Sequence, residues 1–242
     1  MQTWGTLEYE DATSKILPLS RTIVALLAGD ARKGGQVIRD AARALVAVPA
    51  EECTVVGAAR ALCAAYTARR IQEVDSELGA RGLSLATFYG GKQRELADHI
   101  TSAIDSGIAN YQYPTDMVIA GVDPTGAHIM WVGNPGGNAL DCDATGFAAN
   151  GGGMQVAMHV LFELGQNVAE QVPATVMRVY AAKKRSESAQ GVGRVTDVSI
   201  IRAGGIVALS PERIEHLNTL YAQHHARTTA DLVATAAKLE LA

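Results

Sequence analysis

The sequence predicts an α+β fold in which two antiparallel sheets are covered by helices on their outer faces. Three observations lead there. Groups of helices alternate with groups of strands along the chain. The strands come in pairs joined by short turns, which makes the sheets antiparallel. No regular strand–helix–strand repeat of the kind a doubly wound parallel sheet requires is present.

In chain order, residues 21–29 (RTIVALLAG) form a short, almost unbroken apolar run closed by Gly-Asp. Its length and branched side chains predict a strand buried on both faces. Over residues 31–48, Val37, Ile38, Ala41, Ala42, Leu45 and Val46 recur at helical spacing, and Pro49 breaks the helix. A second helix, rich in Ala and Arg, is predicted from about residue 52 to about 78, before Gly79 and Gly82, and a third over 91–107. Period two then takes over. Residues 116–123 (DMVIAGVD) and 127–133 (AHIMWVG) flank Pro124-Thr125-Gly126 and predict a hairpin.

After Asn150-Gly151-Gly152-Gly153, the side chains of Met154, Ala157, Met158, Leu161 and Phe162 share one helical face. Pro173 sits near the start of a helix running to about residue 187, as the first-turn preference of proline expects. Residues 195–204 and 205–209 predict two more strands. Ser210-Pro211-Glu212 opens a helix with Ser as its cap, and a last helix is expected over about 228–239.

The 242 residues suit a single domain spanning 1–242, with an extended helical segment over about 50–113. With 21 Lys and Arg against 25 Asp and Glu, the net charge of −4 argues against nucleic acid or an anionic membrane as partner. The apolar runs near Leu45 and Val118 are half the roughly 18–20 residues of a spanning helix. The first ten residues, MQTWGTLEYE, lack the basic and apolar blocks of a signal peptide. Cys53, Cys63 and Cys142 are odd in number and form no CxxC pair, which points to reduced thiols in the cytoplasm.

Two stretches, VIAGVDPTGAHIMWVGNPGG and GFAANGGGMQVAMHVLFE, together resemble the proteasome β-subunit and HslV-like group of N-terminal-nucleophile hydrolases. In that group a strand reading AG-D hairpins into a second strand, and a loop of the type A-x-G-S-G opens a long helix. The matching loop here is Ala149-Asn150-Gly151-Gly152-Gly153, so Gly152 stands where the pattern has serine. VYAAKKRSESAQGVGRVTDVSII resembles the late helix, Gly-rich turn and Asp-Val strand, and SKILPLSRTIVALLAGDAR resembles the stretch that carries the catalytic lysine and oxyanion-hole glycine. The resemblance is to a bacterial-type member and covers most of the chain outside residues 50–113. It implies a four-layer αββα sandwich.

Such hydrolases attack an amide with the side chain of an N-terminal Thr, Ser or Cys. That nucleophile needs a proton acceptor, a neighbouring cation and a backbone N–H aimed at the oxyanion. By resemblance, Lys15 matches the catalytic lysine and Gly29 the oxyanion-hole glycine, and Thr3 and Gly5 match positions just past the second strand. The pattern places its nucleophile roughly thirty residues before the lysine. Fourteen residues precede Lys15, so no residue of this chain stands in the nucleophile position; Thr3, Thr6 and Ser14 offer hydroxyls at the wrong spacing. Glu187 and Ser188 lie near the positions of an expected aspartate and serine. The first, nucleophile-bearing strand is therefore expected upstream of Met1, and its absence leaves a sheet edge that reorganises or is covered by a partner chain.

The resemblance implies an amide-bond hydrolase, a peptidase acting on peptides or small amides, if the true N-terminus lies upstream. The alternative is a non-catalytic subunit that keeps the fold for assembly. The resemblance implies a homo-oligomer, of which a ring is one form, with neither cofactor nor metal. The remaining motifs read as structure. The triple glycine lacks the Lys-Ser/Thr of a phosphate loop, and Asp141-Cys142-Asp143 reads as a solvated loop with no histidine at ligand spacing. His216 and His224 are eight residues apart, about 80° round a helix, which argues against a shared zinc site.

Overall fold

The computed structural model describes residues 2–4, 7–9, 14–49, 52–134 and 137–236, with the backbone course alone for 2–4 and 7–9. A small antiparallel hairpin, β1 (Gln2–Trp4) and β2 (Leu7–Tyr9), comes first. Strands β3 (Ile16–Pro18) and β4 (Ile23–Gly29) lead into the helices α1 (Ala31–Leu45) and α2 (Val55–Gly79). The short helix α3 (Leu85–Tyr89), a 3-10 turn at Lys92–Arg94 and α4 (Asp98–Asn110) follow. Next come β5 (Thr115–Asp123), β6 (Gly126–Val132) and β7 (Ala139–Asp141). The chain continues through α5 (Met154–Glu163), α6 (Val172–Ser186), the hairpin β8 (Ser199–Arg202) and β9 (Gly205–Ala208), and finally α7 (Pro211–Ala236).

Strands β3 to β7 form one antiparallel sheet in sequence order, which puts the apolar run of β4 next to β5 at its centre. Period-two alternation gives that sheet two faces. Ile23, Ala25, Leu27, Met117, Ile119 and Val132 point to one side, where they pack with Val37, Ile38 and Ala41 of α1 and with Val55, Ala58, Leu62 and Tyr66 of α2. Each fully buried Val, Ile or Leu there contributes about 1.5–3 kcal/mol. The buried Tyr66 hydroxyl is satisfied in this layer: its Oη donates to the carbonyl of Tyr113 at 3.2 Å, and the two rings meet edge to face. A satellite core of Val74, Leu78, Phe88 and Ile104 ties α3 and α4 to the end of α2. Arg70 fastens it by donating to the carbonyls of Ile108 and Tyr111, both at 3.0 Å.

The opposite face of the sheet is covered differently. Strand β8 packs on β5, while α6 packs against both α5 and α7. Phe147, Val160, Leu161 and Ala182 form the core of that helical layer. No helix among the described residues is long and apolar enough to cross a membrane.

Several expectations need correction. The helix expected over residues 91–107 is interrupted: Ala97 is extended (φ −64°, ψ 144°), which lets Leu96 turn into the satellite core, and α4 starts at Asp98. Residues 195–198 lie outside β8. The two helices expected after Ser210 are one, because nothing between residues 211 and 236 breaks it. The buried face of α5 is Val160 and Leu161, with Val156 and Ala157 beside them; Met154 and Phe162 are exposed, Phe162 at 63%. Strands β3 and β7 and helix α3 are too short for periodicity to mark.

Candidate active site

The site begins where β4 ends. Gly29 has φ +88°, and a β-carbon there would run into the carbonyl oxygen of Pro114. Glycine is the residue that allows both the left-handed backbone and this approach. The chain turns at once into α1, whose N-cap Asp30 accepts from the backbone N–H groups of Arg32 at 2.9 Å and Lys33 at 3.1 Å. Asp30 donates its own N–H to Pro114 O at 2.8 Å, tying the corner to the start of β5. Lys15 lies alongside, just before β3: its carbonyl accepts from the N–H of Leu27, two residues before Gly29, at 2.9 Å.

The glycine loop forms the next wall. Asn150 Nδ2 donates to Leu26 O and Asp116 O, both at 3.1 Å, and so straddles β4 and β5. At the start of α5, a β-carbon on Gly153 would sit 2.8 Å from Cβ of Ser186, so this glycine serves close packing of the loop on α6. A β-carbon on Gly152 would lie 3.2 Å from Gln190 O. Asp116, beside the loop at the head of β5, has its carboxyl pushed up by burial, and a hydrogen bond from the Asn134 backbone partly offsets this.

These elements enclose a cavity of about 970 Å³. Leu26, Ala28 and Val118 floor it from the sheet, and Leu161, Val179 and Ala182 roof it from α5 and α6. Lys15, Gly29, Arg32, Asn150 and Gly152 all line it. An ammonium group and a bare glycine backbone facing one cavity can stabilise developing negative charge on a carbonyl oxygen. Across the cavity, Lys183 is occupied, donating to Glu187 Oε1 at 2.5 Å and Gly193 O at 2.7 Å. Burial raises the Glu187 carboxyl, but the hydrogen bonds and charges of Lys183 and Lys184 outweigh it and hold the group below the usual carboxylate range. Ser186 carries the single hydroxyl among the described lining residues and donates it to Lys183 O at 2.7 Å; no thiol lines the cavity among them.

Of the residues singled out in the sequence, Lys15, Gly29, Asn150 and Gly152 meet at this cavity, while Glu187 and Ser188 stand outside its lining. Ser188 donates its hydroxyl to Arg185 O at 2.8 Å. Ser14 accepts from the N–H of Ile16 at 3.3 Å. Thr3 belongs to β1, and its side chain, like Gly5 and Thr6, lies outside the described residues. His216, His224 and His225 ride on α7, where His224 and His225 are exposed. Arg32, Gln190 and Asp197 also line the cavity; the stretches that carry the resemblance include all three, but nothing in their local pattern marks any of them as a site residue.

No family model matches the chain. Over 119 residues it is 34% identical to a protein named proteasome subunit beta from Ferroglobus placidus (strain DSM 10642 / AEDII12DO). The similarity is to a proteasome β subunit. The matched stretch is 48% of this chain and 54% of that protein, so the chain spans about half the length of the relative it matches. A mixed architecture built on an antiparallel sheet accords with this proteasome-like similarity.

Proposed function

We propose that this chain is a proteasome-like N-terminal-nucleophile hydrolase with a four-layer αββα plan, and that the cavity between its sheet and α5–α6 is the reaction centre. In this reading residues 1–242 are a single domain, bacterial in type and cytoplasmic, assembled as a homo-oligomeric ring that hydrolyses peptide or small amide bonds. Lys15 supplies the cation that lowers the pKa of the proton acceptor, and the Gly29 N–H stabilises the oxyanion. The observation that carries the reading is that Lys15 and Gly29 line one cavity whose described lining offers no uncommitted hydroxyl or thiol. A strand encoded upstream brings the nucleophile into that space. The three free cysteines fit a reducing compartment.

The test starts from the gene. The reading frame upstream of Met1 is expected to encode a Thr, Ser or Cys at the spacing from Lys15 described above. The longer protein should then hydrolyse fluorogenic peptides, and Lys15→Met should abolish turnover while leaving its circular dichroism unchanged. Absence of such a codon, or turnover indifferent to Lys15→Met, overturns the proposal.

A second reading, a non-catalytic subunit that keeps the fold for assembly, draws on Gly152. The neighbouring Gln190 carbonyl crowds the place of the serine side chain that the family pattern puts there. An oligomer that assembles with no peptide turnover in its longest natural form selects this reading.

A further inference from the structure

At the end of the sheet away from Gly29, four side chains form a network that the hydrolase reading does not use. His128 on β6 places Nδ1 2.6 Å from Oδ2 of Asp143, in the loop after β7. Its Nε2 lies 2.7 Å from the hydroxyl of Thr125, in the turn joining β5 to β6. Thr125 Oγ1 is in turn 2.6 Å from Oδ1 of Asp123, at the end of β5. The two carboxylates reach further. Asp123 Oδ2 accepts from the N–H of Val55, the first residue of α2, at 2.8 Å, and Asp143 Oδ1 accepts from the N–H of Ile129 at 2.7 Å. One imidazole thus connects a turn, a helix start and a loop.

We propose that His128 is a proton-operated latch, closed when its ring is charged, that holds the β5–β6 turn and the start of α2 to the loop after β7. The argument is a count of protons. The Thr125 hydroxyl has one hydrogen and two close neighbours, His128 Nε2 and Asp123 Oδ1, both of which can accept. With the ring neutral and its N–H given to Asp143, the hydroxyl serves one neighbour and leaves the other facing a lone pair. With the ring charged, Nε2–H donates to Thr125, Thr125 donates to Asp123, and Nδ1–H donates to Asp143. Every contact then carries a proton.

The surrounding charges point the same way. The ionisable groups facing the ring are Asp143 from the loop, Asp123 from β5 and Asp141 from β7, all acidic; α2 contributes the Val55 backbone N–H to Asp123. The hydrogen bond to Asp143 is the largest influence, and it raises the imidazole above its ordinary value despite the opposing cost of burial. Asp123 is held low because hydrogen bonds from Thr125 and Val55 outweigh its burial. A base whose folded pKa is raised gives stability that is complete below the unfolded value near 6.5 and is lost as pH rises through the folded value. The latch therefore opens on the alkaline side. Opening leaves the ring's remaining N–H on Asp143 and breaks the relay through Thr125 to Asp123, so it is the β5–β6 turn and the start of α2 that are freed.

Histidine-resolved NMR titration of the full chain tests this, together with amide exchange at Val55 and Ile129 corrected for the intrinsic pH dependence of exchange. The expected result is a His128 midpoint above 6.5, with protection lost at Val55 across that midpoint but kept at Ile129, and no such step in His128→Gln. A midpoint at or below 6.5, or the same step in His128→Gln, overturns the latch. Thr125→Val, a change in an exposed turn, keeps the Asp143 contact and removes the relay; it should lower the His128 midpoint, and an unmoved midpoint overturns the relay. None of these readouts depends on hydrolase activity, so the latch and the hydrolase reading stand or fall separately.

Discussion

Gly29 illustrates how a single position can be constrained twice, by its backbone angle and by its neighbour. Its φ of +88° is unfavourable for any residue with a β-carbon, and the Pro114 carbonyl occupies the place that carbon would take. Gly29→Ala should therefore destabilise the protein by about 1–3 kcal/mol, measured by urea denaturation, through strain at an unfavourable backbone angle. Glu187 poses a different problem, because its carboxylate is 13% exposed and paired with two lysines. A carboxyl held below its ordinary value of 4.5 gives stability that is present above that value and lost as pH falls through the lowered one. Glu187→Gln should cost about 2 kcal/mol at neutral pH, as expected for hydrogen bonds to charged groups, and should flatten the fall in melting temperature below pH 4.5. His128 shows why composition misleads at this level. Asp141-Cys142-Asp143 reads as a solvated loop, yet pairing of β6 with β7 delivers Asp143 to a histidine fifteen residues away.

Secondary elements explain which expectations survived. Strand β4 and the β5–β6 hairpin were legible because their apolar runs and the Pro124-Thr125 turn agree with each other, and the observed register pairs Asp123 with Gly126 across that turn. Helix α1 was legible from the spacing of Val37, Ile38 and Ala41, all of them buried. The long α7 was misread as two helices because its composition grows polar past Tyr221, where it leaves the packed layer and residues 222–236 are exposed. Element contacts also decide what the glycine loop does. Because Asn150 bridges β4 and β5, Asn150→Ala should loosen the loop by about 1–2 kcal/mol, the worth of the two hydrogen bonds lost. Faster amide exchange across residues 151–153, with β4 and β5 unaffected, is the expected sign.

The layers of the protein differ in how they are held. One side of the sheet is closed by α1 and α2 over a continuous apolar core. The other is separated from α5 and α6 by a cavity of about 970 Å³, with β8 packing across to β5. Stability should follow that difference, since regions with few buried apolar contacts open at lower free energy. Hydrogen exchange read by mass spectrometry should show α5, α6 and α7 exchanging before β4, β5, α1 and the first half of α2. Uniform protection through all layers would contradict this reading of the cavity.

What the residues alone determined is the local and the periodic: where the long strands run, where most of the helices lie, and that the strands pair antiparallel. Hydrophobic spacing and turn chemistry act over a few residues, so one sequence suffices to read them. What only the folded chain decided is convergence. The meeting of Lys15, Gly29, Asn150 and Ser186 at one cavity, and of His128 with Asp143, depends on contacts between residues far apart in sequence. Such contacts are set by how whole layers pack, and no local pattern of side chains encodes them.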